Sequence, residues 1–240
     1  MEQGPINIDE MQWPRTVYPE WWKNFDKVIS YLKENGVGCT HLWEILPSLS
    51  SSGFTQFANT FMDSRSFVAV SSGLDPKDYI GDPVLVDILL EKIKEKRLEA
   101  TIIYGTPVIV QKDLKNPFLD KLLYSDYDTF PDNLKLLQTS EGRPEFNFYA
   151  LGGKSSLLVV EYPRPAWSHV RYTLRTGDIK KPNKLNDLVN DLLKPHLDES
   201  RTVRITTRMQ LLDEVIKRGR TTPEQELARR HVPAHTVYVK

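Results

Sequence analysis

The chain is poor in the residues that usually announce a chemistry. It has one cysteine, Cys39, in 240 residues. That excludes an intramolecular disulfide and any multi-cysteine metal site, and it predicts a reducing compartment with Cys39 as a buried, inert thiol. No window approaches the run of about 20 apolar residues that crosses a bilayer. The opening MEQGPINIDEMQWPR is polar and acidic, unlike a secretory signal, so an intracellular, cytoplasmic location is expected. Net charge is also lacking: 32 basic residues balance 32 acidic ones, which argues against a general polyanion-binding surface while leaving local segregation open. The twelve glycines never fall into G-x-G-x-x-G or G-x-x-x-x-G-K, which excludes the common dinucleotide and phosphate-loop fingerprints.

What is present is periodicity. Pro19 opens a helix whose apolar positions Trp22, Phe25, Val28, Ile29 and Leu32 recur at helical spacing, with Asn35-Gly36 as its stop. Further helices are expected over Thr40–Ile45, capped by Thr40 and ended by Pro47, and over Ser52–Met62, with Phe54, Phe57, Ala58 and Phe61 on one face. Trp21, Trp22 and Trp43 read as the core of this helical region. From Ser66 the pattern changes. SFVAVSSG reads as a strand and Pro83–Arg97 as a surface helix, with Val84, Ile88, Leu89 and Ile93 inward and Glu91, Lys92 and Lys94 to Arg97 largely outward. LEATIIYG reads as a buried strand, and the strand–helix–strand order predicts a right-handed crossover with parallel pairing. A short helix over Pro117–Tyr124, an acidic loop SDYDTFPD and a strand NLKLLQ follow. Pro144–Pro163 then reads as a β-hairpin turning at Gly152-Gly153. Trp167–Leu174 adds a strand, and Leu185, Leu188, Val189 and Leu192 mark a helix ending near Pro195. Residues 209–218 form another, and Thr222 to Gln225 carry a capping signal.

Candidate sites in this pattern have simple alternatives. His231 and His235 are separated by Pro233 and lack an acidic third ligand, and His196 sits where a cation caps a helix end. The serines at 50–52 and 71–72 have no Gly-x-Ser-x-Gly turn. Asp126, Asp128 and Asp132 lack the glycine and closing glutamate of a calcium loop. No metal and no cofactor is therefore expected. Glu145, Lys154 and Glu161 around the hairpin could form a metal-dependent phosphodiesterase or nuclease site. Between Arg201 and Lys240 nine basic residues face four acidic ones. Arg201, Arg204, Arg208, Lys217, Arg218 and Arg220, with Arg143 and Lys154 at the hairpin, are the candidate contacts for a phosphate-bearing partner.

The order of elements from Ser66 to Pro163 resembles one phospholipase-D-like domain. The resemblance rests on SFVAVSSG, DPVLVDILLEKIKEKR, LEATIIYG, the short helix, NLKLLQ and the hairpin, about 100 residues in all by the element order. It implies an α/β sandwich and, in catalytic members, a histidine nucleophile on the first hairpin strand, a lysine two residues later and an acidic residue beyond. Here that stretch is Phe146-Asn147-Phe148-Tyr149, and no histidine lies between residues 42 and 168. The resemblance is thus to non-catalytic members, which serve as ligand-sensing, lipid-binding or adaptor modules.

The expectation is an α/β protein with a mixed β-sheet flanked by helices. Residues 1–65 are a helical N-terminal region, 66–200 the phospholipase-D-like core and 201–240 a basic C-terminal segment. The expected function is a non-enzymatic binding or regulatory module for an anionic partner: nucleic acid, a phosphorylated ligand or a membrane surface. The phosphodiesterase is the first alternative. The second is an oligomeric scaffold or adaptor, a homo-oligomer joined through the aromatic N-terminal helices.

Overall fold

The computed structural model describes residues 19–45, 52–71, 82–105, 117–139, 146–154, 156–162, 170–176, 179, 182–197 and 202–219. They form α1 (Pro19–Asn35), β1 (Cys39–Ile45), α2 (Ser52–Asp63), β2 (Ser64–Ser71), α3 (Pro83–Lys94) and β3 (Glu99–Tyr104). Next come α4 (Pro117–Leu123), β4 (Leu134–Thr139), β5 (Phe148–Gly153), β6 (Leu157–Glu161) and β7 (Val170–Thr176). α5 (Pro182–Leu193) runs into a short 3-10 turn, and β8 (Thr202–Ile205) and α6 (Arg208–Gly219) complete the order. One eight-stranded sheet runs β1-β7-β6-β5-β2-β3-β4-β8. β2, β3 and β4 are mutually parallel and the other pairings are antiparallel. The fold class is the expected one: α/β, a mixed sheet flanked by helices, with a helix at the N-terminal side.

Two apolar cores explain the sequence texture. On one face, Phe57 and Phe61 of α2, Leu85, Val86, Leu89 and Ile93 of α3, Phe118 and Leu122 of α4 and Leu211 of α6 pack on Phe67, Ala69, Ile102, Leu136, Leu151 and Val159. On the other, Trp21, Trp22, Phe25, Val28 and Leu32 of α1 and Leu185, Leu188, Val189 and Leu192 of α5 pack on Val70, Ile103, Phe148, Leu158, Val160 and Leu174. With both faces covered, β6 is buried at every position. It therefore reads as a continuous apolar run, not an alternating one.

Local signals place the helix ends. The Asp82 carboxylate accepts from the N–H groups of Val84 and Leu85 at 3.0 and 2.9 Å, and Pro83 fills the first turn. α1 ends where Gly36 takes φ +60° and the Val37 N–H donates to the Leu32 carbonyl at 2.9 Å.

Five expectations need correction. Thr40–Ile45 is not a helix: it lies in β1, which pairs over its whole length with β7, from Cys39 against Thr176 to Ile45 against Val170. Seven residues are too few for an independently stable helix, and cross-strand pairing decides the conformation. Cys39 is exposed at the start of that edge strand, not buried. In α3, Val84 is 62% exposed, while Lys92, expected outward, is buried among the apolar positions. The hairpin does not turn at Gly152-Gly153. Both glycines lie within β5, paired to Ser66 and Ser64 of β2, and the connection to β6 follows them. Finally, the basic C-terminal segment, in which helix was the only element expected, also holds a strand: residues 202–205 are β8, paired with β4.

The lead-in at 1–18, the serines at 50–51 and 72, and the capping signal at 222–225 lie outside the described residues, as do His169, His231, His235 and Trp167. So do the side chains of Trp43 and Phe54.

Candidate functional site

The order of the sheet reverses between β5 and β2. From β2 the chain steps outward to β3 and β4; from β5 it steps the opposite way to β6 and β7. In open α/β sheets a crevice forms at the carboxyl ends of the parallel strands where such a reversal occurs. The carboxyl ends here are Ser71, Tyr104 and Thr139.

The register shows what occupies that end. Ser71 pairs with Tyr104, Tyr104 with Gln138, and Glu161 with Thr173. The Glu161 N–H donates to the Asn147 carbonyl at 3.0 Å, and one step beyond the Val70–Phe148 pair sets Asn147 beside Ser71. Thr173, Glu161, Asn147, Ser71, Tyr104 and Gln138 therefore form one rung across six strands, all polar and all on the face covered by α2, α3, α4 and α6. The preceding rung is Arg175, Val159, Tyr149, Ala69, Ile102 and Leu136, apolar except for Arg175, and for the Tyr149 hydroxyl.

A polar rung on an otherwise apolar face is the unusual feature of this sheet, because burying polar groups costs free energy unless hydrogen bonds compensate. Ser71, Tyr104, Gln138, Glu161 and Thr173 are all buried, and Asn147 is half-buried. The Arg175 Nε donates to the Thr173 Oγ1 at 3.4 Å, and the Tyr104 hydroxyl reaches the Gln138 Oε1 at 3.5 Å. Arg175, 1% exposed, stands diagonally from Glu161 across the β6–β7 pair, within reach of long side chains. The set thus offers one carboxylate, one guanidinium and several hydroxyls and amides. That suits binding and orienting a polar molecule. It supplies no histidine or lysine for nucleophilic or phosphate-holding chemistry.

The residues singled out in the sequence are not gathered. Glu161 belongs to the rung, but Lys154 is exposed in the β5–β6 connection at the other end of β6, about 13 Å away along the strand. Arg204 is exposed on β8, opposite Leu137, and so on the reverse face of the sheet from the rung. β8 lies four strands from β5, roughly 19 Å. Arg208 is already engaged: its guanidinium donates to the Asp128 carboxylate at 3.0 Å and the Ser125 carbonyl at 3.3 Å, holding the acidic loop. Arg143, Glu145, Arg201 and Arg220, and the side chains of Lys217 and Arg218, lie outside the described residues. Among the described residues no group of three His, Cys, Asp or Glu side chains could hold a metal ion. No helix among them is long and apolar enough to cross a membrane.

Apart from Glu161, the rung was missed as a site, although the sequence carries a signal for it. Each buried apolar run stops at a polar residue on the same level: FVAV at Ser71, ATII at Tyr104, LKLL at Gln138 and LLVV at Glu161, while FYAL is preceded by Asn147.

No protein-family model and no curated protein matches the chain. Among solved structures it is similar to the phosphatidylserine synthase of Haemophilus influenzae Rd KW20, with a TM-score of 0.43 and 11% identity. The match covers 80% of this chain and 47% of that protein, so the chain spans about half its length.

Proposed function

We propose that this protein is a non-enzymatic binding module on a phospholipase-D-like frame, and that its ligand is a small anionic molecule held at the last rung of the sheet. The observation that carries this reading is the unbroken polar rung from Thr173 to Gln138 at the point where strand order reverses. The phospholipase-D-like frame is supported by the strand–helix–strand–helix–strand–hairpin order of β2 to β6. The absence of enzymatic chemistry is supported by Asn147 and Tyr149, which stand on the rung's face of the first hairpin strand where a nucleophile and its lysine would be needed. Arg175 supplies positive charge one rung in, and the hydroxyls and amides of the rung are donors for an anion's oxygens. The buried position disfavours a flat polyanion such as duplex nucleic acid or a membrane surface and suits a ligand small enough to enter the crevice.

The test is calorimetric and NMR titration of the full chain with inorganic phosphate and with glycerol 3-phosphate. Saturable binding is expected, weakened tenfold or more by Thr173→Val. It should be tightened by Glu161→Gln, which removes the like charge. No binding at millimolar concentrations overturns the proposal. Release of nitrophenol from a nitrophenyl phosphodiester that vanishes in Glu161→Gln would establish the phosphodiesterase reading instead.

A further inference from the structure

Among the described strand residues, Glu161 and Arg175 are the only charged side chains that are buried, at 5% and 1% exposure. The register brings them together on the face covered by α2, α3, α4 and α6. Glu161 lies opposite Thr173, and Arg175 follows two residues on along β7, opposite Val159. Diagonal neighbours of this kind stand about 7–8 Å apart. The Arg175 side chain closes part of that gap, because its Nε donates to the Thr173 Oγ1 at 3.4 Å and so leans toward the polar rung. A carboxylate and a guanidinium thus flank one threonine hydroxyl at this end of the rung. Toward the other end, Ser71, Tyr104 and Gln138 carry no charge.

Stability does not account for the pair. A buried ion pair is often no better than apolar side chains of the same volume, since the desolvation of two charges offsets their attraction. The site is also close to water: across β7, Arg175 pairs with Thr40 of the edge strand β1, and Thr40 is exposed. Charge balance then decides which ligand suits it. The two groups sum to zero, and an uncompensated charge brought into a buried site costs free energy. An anion alone meets Glu161 as a like charge, whereas an anion with its own ammonium meets a partner at each end. We propose that the ligand is an amino-alkyl phosphate, its phosphate on the Arg175 guanidinium and Thr173 hydroxyl and its ammonium on the Glu161 carboxylate. This rests on the binding reading above and narrows it to anions that carry an amine. Neither protein charge has to surrender its contacts, since a carboxylate has about four acceptor sites and a guanidinium about five donors.

The test compares two ligands of the same shape. Aminoethyl phosphate and propyl phosphate differ only in the ammonium that a methyl replaces, so titration calorimetry on the full wild-type chain needs no variant. Aminoethyl phosphate should bind about tenfold more tightly or better, the weight of one charge-assisted hydrogen bond in a desolvated site. Glu161→Gln, with its fold checked by circular dichroism, should weaken aminoethyl phosphate and tighten propyl phosphate. Equal affinities in the wild type, or tighter propyl phosphate, overturn the amine and leave the anion site standing. So does a folded Glu161→Gln chain that keeps the wild-type preference. If neither phosphate binds at millimolar concentration, the anion site falls and this inference falls with it.

Discussion

The Lys92 ammonium donates to the Phe61 carbonyl at 2.7 Å while lying 5.3 Å from the centre of that residue's ring. It also donates to the carbonyls of Met62 and Ser64 at 2.9 and 2.8 Å. A lysine of α3 thus closes the end of α2, where the last carbonyls of a helix have no partner of their own. Burial lowers its pKa, as desolvation of an ammonium must, with the nearby Arg97 charge acting in the same direction. All three donor sites of the ammonium are used, so the charge is buried without being left unsatisfied.

Lys92→Met keeps the apolar stem and removes the donors, leaving three carbonyls exposed to an apolar interior. Charge-assisted hydrogen bonds and the penalty for stranded acceptors put the loss at about 2–4 kcal/mol. Lys92→Arg should also destabilise, because a planar guanidinium cannot converge on three carbonyls at one point. Urea unfolding of both variants checks this; a wild-type midpoint for Lys92→Met would refute the capping role.

At α6 the cap is local. The Gln210 N–H donates to the Thr207 Oγ1 at 3.1 Å, while the Gln210 Oε1 accepts from the Thr206 and Thr207 N–H groups at 2.7 and 3.3 Å. This is a capping box, with threonine and glutamine three residues apart. Thr207→Ala and Gln210→Ala should each cost about 1 kcal/mol, and the double variant less than the sum because the bonds are reciprocal. A chemical-denaturation cycle gives the coupling directly; strict additivity would count against it.

Lys92 and β8 also show what was legible in the sequence and what was not. Helices with long apolar stripes, such as α1 and α5, and strands flanked by glycine or proline could be read from period alone. Lys92 could not, because its charge predicts solvent and only the end of α2, thirty residues away, offers it carbonyl partners. Thr40–Ile45 carries helix punctuation, but its conformation is set by pairing with β7, some 130 residues on. β8 has four residues and an arginine near its centre, too little periodicity to register. The polar rung follows from strand register, which no single strand encodes. Glu161 was found as a candidate, but the partner assigned to it, Lys154, belongs to the other end of the same strand.

Gly152 and Gly153 were legible as special and misread as to why. A Cβ on Gly153 would stand 2.8 Å from the Asp63 carbonyl oxygen and 3.0 Å from the Ser64 Cα, both backbone atoms. On Gly152 it would meet the Ser66 Oγ at 2.4 Å, the tip of a rotatable side chain. The pair is needed for close approach of β2, at the irregular register between Ser64 and Ser66, and not for a turn. Gly153→Ala should therefore cost about 2–3 kcal/mol, since backbone must move. Gly152→Ala should cost less and be rescued by Ser66→Gly, whereas Gly153→Ala should not be. Thermal melts of the two glycine variants, each with and without Ser66→Gly, test the distinction.

Alkaline pH offers a test of the α1 core. Burial raises the Tyr162 pKa well above the ordinary tyrosine value, with a smaller push from the Cys39 thiolate. Its ring packs on Trp21 and Phe25 at centroid distances of 5.0 and 5.4 Å, and the Trp21 indole N–H donates to the neighbouring Glu161 carbonyl at 3.0 Å. The unfolded chain releases this proton near pH 10 while the native state keeps it, so above that pH the native state binds more protons. Stability is then fully present below about pH 10 and falls as pH rises beyond it. Tyr162→Phe retains the ring contacts and removes the ionisable group. It should be about 1 kcal/mol less stable near pH 8, from the lost hydroxyl, yet lose less stability between pH 10 and 11.5 than the wild type. Urea midpoints measured across that interval should converge or cross; parallel curves would show that Tyr162 does not control alkaline unfolding.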